Sequence, residues 1–200
     1  LGIGASGAAQ GDAWVSMKSY GISQGLGADM IATMDGFSRE DVDRYAVMSQ
    51  QRAAHARDNG YFKNSIVPVK DMNGVTILDH DEFIRPGTSM DALAKLKPSF
   101  KMFNDFGHGD IARLRYPELE DIHNVHTPGN SSGIVDGASL VLVGNESAGK
   151  DLGLKPRARI VSCALTGTEP TIMLAGPAPA SQKALKKAGL PVDDIDLFEL

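Results

Sequence analysis

A chain of 200 residues, 42% hydrophobic and 22% charged, is long enough to bury a sizeable core and has the composition of an ordinary globular protein. A formal charge of −5 excludes the basic footprint of a nucleic-acid binder or a protein drawn to anionic membranes. No apolar run approaches the about 18 residues of a membrane span, and the lone cysteine, Cys163, excludes an internal disulfide framework and fits a reducing compartment.

The chain opens Leu1-Gly2-Ile3-Gly4-Ala5-Ser6-Gly7, without a Met or a basic leader, and the expectation is an interior piece of a longer chain. Residues 1–37 read as Gly-rich and irregular, with a short helix over Asp29–Met34 stopped by Gly36. Ser38 then announces a long helix: it is an N-cap residue followed by acidic Glu40 and Asp41 in the first turn. Val42, Tyr45, Ala46, Ser49, Ala53 and Ala56 fall on one stripe at helical spacing, and Gly60 ends the run. Ile66–Val69 and Val75–Leu78 read as strands joined through Asn73-Gly74, a hairpin signal. A short helix is expected from Ser89 to Leu96, ended by Lys97-Pro98-Ser99-Phe100.

Residues 101–125 have no clean period and are long for a connection, which points to a functional loop or an insertion. His123 and His126 have a spacing that suits a metal, but no second ligand pair accompanies them, and no metal site is assigned. From His126 to Ala138 the chain reads HTPGNSSGIVDGA, and Ser139–Val143 follows as an apolar strand. Such a cluster of small residues serves either as a tight turn before a core strand or as a place where a ligand approaches the main chain. Beyond it, Asn145 caps a helix that Gly153 stops; residues 158–165 and 195–199 read as strands. A helix from Pro179 to Gly189 separates them, its Lys183, Lys186 and Lys187 forming a solvated face or a phosphate contact. The alternation of strand and helix argues an α/β layered fold. Cys163, inside a strand-like run with no base beside it, reads as a small buried hydrophobe.

Several of these pieces occur in a recognisable order: SREDVDRYAVMSQQRAA at 38–54, GYF at 60–62, DEFIRPGTSMDALAKLKPSF at 81–100, and GNSSGIVDGAS at 129–139. LGLKPRARIVS at 152–162, GPAPASQKALKKAGL at 176–190 and DIDLFEL at 194–200 complete the series. Together they resemble the thiolase family, acyl-CoA acyltransferases that make or cleave 3-ketoacyl-CoA. The resemblance covers all but residues 1–20 and 101–123. With QGLGADMIAT at 24–33, its wording is most similar to thiolases acting on bulky or steroid-side-chain acyl-CoA.

The resemblance implies a layered αβαβα sandwich, of which this chain would hold the CoA-covering loop domain (1–134), the end of the N-terminal core half (135–156) and the start of the C-terminal half (157–200). It implies a cysteine acyl-enzyme, thiolysis or its reverse Claisen condensation, CoA and acyl-CoA as substrates with no prosthetic group, and a homodimer or homotetramer. A cytoplasmic, mitochondrial-matrix or peroxisomal setting would suit it. The family's catalytic motifs match nothing within these residues, so no catalytic residue is assigned and the fragment alone is expected to be inactive. CoA-handling positions do match. Ser132 falls on the serine that hydrogen-bonds the pantetheine arm, with Gly133 beside it. Pro128 stands where the family usually has alanine, and Arg85 falls on the arginine along the adenine and phosphate end. The family's His-Met pair near the acyl thioester falls on Ser23-Gln24, a departure that marks these two as candidate substrate-pocket residues. A non-catalytic CoA-binding thiolase-like protein, or an inactive truncated product, is the alternative. A generic nucleotide-binding α/β protein is disfavoured because no G-x-G-x-x-G or Walker motif follows a strand.

Overall fold

The computed structural model describes residues 12–199; the Gly-rich opening through residue 11 and Leu200 lie outside them. The chain divides into two compact units that meet in sequence at Gly133 and Ile134.

The first unit is built on helices. α1 (Ala13–Ser19) lies within the stretch expected to be irregular; Asp12 caps it, its Oδ1 accepting from Trp14 N at 2.9 Å and Val15 N at 3.2 Å. α2 (Gln24–Asp35) starts earlier than the expected Asp29 and ends, as expected, at Gly36, which takes φ 74°. α2 is the spine of this unit: Leu26 and Met30 are fully buried, and Ala32 nearly so. A Cβ on Gly25 would lie 2.2 Å from Phe100 Cζ, so this glycine lets the aromatic ring rest directly on the helix.

α3 (Arg39–Asp58) forms where the capping signal placed it. The Ser38 hydroxyl accepts from Asp41 N at 3.2 Å, and Asp41 Oδ2 accepts from Ser38 N at 2.9 Å, a reciprocal capping box. The Ser38 hydroxyl also donates to Asp41 Oδ2 at 2.6 Å, and together with the Ser38 amide it holds the Asp41 carboxyl below the usual carboxylate range. The expected apolar stripe is displaced. Tyr45 is 70% exposed, whereas the inward face carries Asp43 and Ala54, with Val47 and Gln50 half-buried between them. The 43, 47, 50, 54 spacing is helical, but a charged residue leads it, and apolar pattern alone does not see that face.

β1 (Val69–Lys70) and β2 (Thr76–Leu78) pair antiparallel, shorter than the strands expected. Asp71 Oδ1 accepts from Asn73 N and Val75 N, each at 2.8 Å, and Gly74 takes φ 83°, which closes the turn. α4 (Met90–Leu93), capped by Ser89, buries Leu93. The first part of the aperiodic segment, 101–115, is helical: α5 (Lys101–Phe103), one π-helical turn over Asn104–His108, and α6 (Gly109–Arg115). Gly107 at φ 98° breaks the run, which is why no single period fits it. Ala112 on α6, with Ile122 and Val125, completes the core around α2.

In the second unit, α7 (Glu146–Asp151) is capped by Asn145, whose Oδ1 accepts from Ala148 N at 2.9 Å, and is followed by Gly153 at φ 64°. α8 (Pro177–Ala188) starts two residues before Pro179 and ends at Gly189, as its terminal signals indicated. The strands expected at 139–143, 158–165 and 195–199 are not paired: among the described residues the paired strands are β1 and β2. Leu140, Val141, Leu142 and Val143 are 67–97% exposed. A strand exists only through a ladder with a neighbour, and the described residues offer this run none. Cys163 is accordingly exposed, not buried.

Candidate functional site

A cleft of ≈ 370 Å³ opens in the first unit. One wall is the turn before α4, from Phe83 and Arg85 through Gly87 and Thr88; a second is α4 and its exit, with Ala92, Leu93 and Leu96. The third is the glycine-containing loop itself, represented by Pro128, Gly129 and Ser131. The volume lies within the usual range for small-molecule sites, about 300–1,000 Å³.

Arg85 is set in place by its backbone. Its N–H donates to Gln50 Oε1 at 2.7 Å, and its carbonyl accepts from Thr88 N at 3.1 Å and Thr88 Oγ1 at 2.8 Å. The guanidinium lies 4.9 Å from the centre of the Phe83 ring. Asp81, four residues before Arg85, accepts the Phe83 N–H at 2.7 Å. A guanidinium stacked on an exposed ring keeps its donors turned to solvent, a geometry suited to an anionic or flat aromatic ligand.

Of the residues singled out from sequence, the cleft brings together Arg85 and Pro128. Gly133 lies against the same Phe83: a Cβ there would sit 2.2 Å from Phe83 Cζ. Ser132 is exposed between Ser131, which lines the cleft, and Gly133. Ser23 and Gln24 do not join them. They stand at the start of α2, where Ser23 N donates to His108 Nδ1 at 3.1 Å and the Ser23 hydroxyl is buried without a partner. That bond leaves the His108 proton on Nε2.

The loop wall is held from behind by two buried carboxylates. Asp29 of α2 is fully buried and accepts from Asn124 Nδ2 at 2.8 Å, Val125 N and His126 N at 3.0 Å, and His126 Nδ1 at 2.7 Å. The His126 ring, considered above for a metal, is thus engaged by a carboxylate; among the described residues no group of three or more His, Cys, Asp or Glu gathers to hold an ion. Asp43 of α3, 2% exposed, accepts from Asn130 Nδ2 at 2.7 Å and from Arg39 Nε at 2.7 Å. Asn130 closes its own turn by accepting Thr127 N at 2.7 Å and donating to the Val125 carbonyl at 3.2 Å. Arg39 also donates to the carbonyls of Leu96, at 3.1 Å, and Leu93. Gly129 is pressed onto the same two leucines: a Cβ would lie 2.4 Å from Leu93 Cδ2 and 2.7 Å from Leu96 Cδ1. Sequence reasoning passed over Asp29, Asp43 and Arg39; the only hint was an acid at an inward helical register.

Two family models match the chain: the thiolase N-terminal domain over residues 8–108 and the thiolase C-terminal domain over residues 154–200. A 3-ketoacyl-CoA thiolase of Aliivibrio fischeri is 44% identical over 186 residues, covering 92% of this chain and 43% of that protein. One from Serratia proteamaculans is 46% identical over the same coverage. The chain therefore spans less than half the length of the curated relatives it matches. Among solved structures, an acetyl-CoA acetyltransferase of Bacillus anthracis superposes with TM-score 0.72 at 32% identity, over 88% of this chain and 40% of that one. Human mitochondrial 3-ketoacyl-CoA thiolase gives TM-score 0.66 at 35% identity, over 86% and 39%.

Proposed function

Because the chain belongs to the thiolase family and has its α/β fold, we propose that the whole protein is an acyl-CoA acyltransferase, and that the cleft of the first unit holds the CoA handle of its substrate. The reaction is thiolysis of a 3-ketoacyl-CoA by CoA, or the reverse Claisen condensation. A cysteine thiolate attacks the 3-keto carbonyl, the C2–C3 bond breaks and acetyl-CoA leaves as its enolate, which is then protonated; the shortened acyl group passes from the cysteine sulfur to the thiolate of the incoming CoA, which frees the cysteine thiolate. Thioester exchange suits cysteine, since its thiolate is a good nucleophile and a good leaving group. The cysteine of that chemistry is not assigned to this chain, and Cys163, exposed in the second unit, is given no part in it.

What these residues supply is binding and orientation. The observation that carries the reading is the convergence of Arg85 and Pro128 on one cleft, from positions more than forty residues apart. In the proposed pose, Arg85 faces the phosphate and adenine end of CoA, Pro128 and Gly133 flank the pantetheine arm, and the Ser132 hydroxyl bonds to it. Proline at 128 offers no N–H, so the loop's polar contact falls to Ser132. Ser23 and Gln24, at the start of α2, are proposed to bear on acyl choice. A homodimer or homotetramer in a reducing compartment, cytoplasmic or organellar, is part of the same reading; no described helix is long and apolar enough to cross a membrane.

Kinetics of the full-length protein test this. Arg85→Ala is expected to raise the KM for CoA roughly five- to tenfold, the worth of about 1 kcal/mol, with little change in kcat. Ser132→Ala should weaken CoA by about 1 kcal/mol, one hydrogen bond. Unchanged CoA affinity in both variants would remove the assignment. A chain-length series of 3-ketoacyl-CoA substrates tests the proposed preference for bulky or steroid-side-chain acyl groups; activity confined to acetoacetyl-CoA would exclude it.

A further inference from the structure

We infer that Arg39, Asp43 and Asn130 form a clasp that sets the width of the cleft, and that they are positioning residues for the CoA site; the ligand part of this rests on the reading above. The observation is that one guanidinium reaches both sides. Arg39 donates to the carbonyls of Leu93 and Leu96, which belong to the α4 wall. Through Asp43 it is tied to Asn130, whose neighbours Gly129 and Ser131 belong to the loop wall. The two walls touch where Gly129 meets Leu93 and Leu96, with no room for a Cβ. Asp43 is 2% exposed, and the Arg39 side chain 27% exposed, so the chain of bonds runs through a region where water does not readily replace a lost partner. A guanidinium is needed because its flat fork addresses a carboxylate and two carbonyls at once; an ammonium on a flexible stem does not hold that geometry.

None of the three needs to touch the ligand. Their effect on it passes through the spacing of Leu93 and Leu96 from Gly129, which distinguishes them from Arg85. Helix α3 would still form without the clasp, because its start is fixed by the Ser38–Asp41 capping box.

The test uses the full-length protein and two variants, Arg39→Lys and Asp43→Asn. In Asp43→Asn the new amide can still offer its oxygen to Arg39 Nε, but its NH2 then faces the Asn130 Nδ2 donor, whose own oxygen is taken by Thr127 N. Amide hydrogen exchange is followed at residues 90–96 and 127–131, and CoA affinity is measured by titration. Exchange in both segments is expected to rise about tenfold or more in each variant. CoA affinity should fall about tenfold in each, with kcat little changed. Faster exchange confined to one segment, or exchange unchanged in both, overturns the clasp. If the parent protein fails to bind CoA, the proposed function fails, while the exchange data still decide the clasp.

Discussion

Asp29→Ala is expected to destabilise the first unit by about 3 kcal/mol or more, among the largest effects of any single change in this chain. The carboxylate is fully buried and takes hydrogen bonds from Asn124 Nδ2, from the backbone N–H groups of Val125 and His126, and from His126 Nδ1. Truncation leaves those donors facing a cavity, each at the cost of an unpaired buried group. Asp29→Asn should cost much less. Three of the donors converge on Oδ1, which an amide retains. The fourth, Asn124, meets Oδ2, and can turn its own amide to present oxygen to the new NH2. Urea unfolding of the two variants measures the difference. Similar small losses in both would mean that these bonds do not anchor the loop. The loss should also appear as faster exchange at Val125 and His126, because their amides lie on Asp29.

Leu26→Ala is expected to cost roughly 2–5 kcal/mol, the range for emptying a fully packed core position. Leu26 and Met30 lie one helical turn apart on α2 with no exposed surface, and Gly25 beside them brings Phe100 onto the helix. The void cannot collapse easily, because α2 is held along its length: Ser23 N donates to His108 Nδ1 at its start, Asp29 ties its middle to residues 124–126, and Thr33 Oγ1 accepts His123 N at 2.9 Å. Met34→Ala on the same helix, 38% exposed, serves as the comparison and should stay within about 0.5 kcal/mol. Equal midpoints for the two variants in urea would show that α2 is not the spine described here.

The features legible in the sequence are those encoded locally. Ser38 with Asp41, Asn145 with Ala148, and Gly36 and Gly189 at helix ends are short-range signals, and each helix boundary they mark is present. The buried face of α3 was not legible, because its leading residue is Asp43 and a carboxylate in a hydrophobic register counts against burial until its partners are known. Those partners are Arg39, one turn away, and Asn130, 87 positions along the chain. Asp29 is the same case, with partners 95 to 97 positions away. Nothing within a window of sequence reveals a pairing at that distance.

The run at 139–143 is the opposite case. Its apolar pattern is the pattern of a strand buried in a sheet, but burial is a property of the neighbours, and the described residues place none beside it. In the candidate site, Arg85 and Pro128 were legible only through resemblance, for nothing in either local context says that they share a cleft. Long-range bonds from α3 explain how they come to do so: Gln50 holds the Arg85 backbone, and Asp43 holds Asn130 in the loop that carries Pro128. The helical character of 101–115 was hidden by the π-helical turn and by Gly107, which reset the period partway.

The cleft between the Phe83–Thr88 turn, α4 and the Pro128–Ser131 loop is proposed to hold the CoA handle. A crystal structure of the full-length protein with CoA bound tests it most directly. The pantetheine arm is expected to run past Pro128 and Gly133 within hydrogen-bond distance of Ser132, with a phosphate or the adenine ring against Arg85. CoA bound elsewhere on the protein, with this cleft unchanged and Arg85 still stacked only on Phe83, would contradict it.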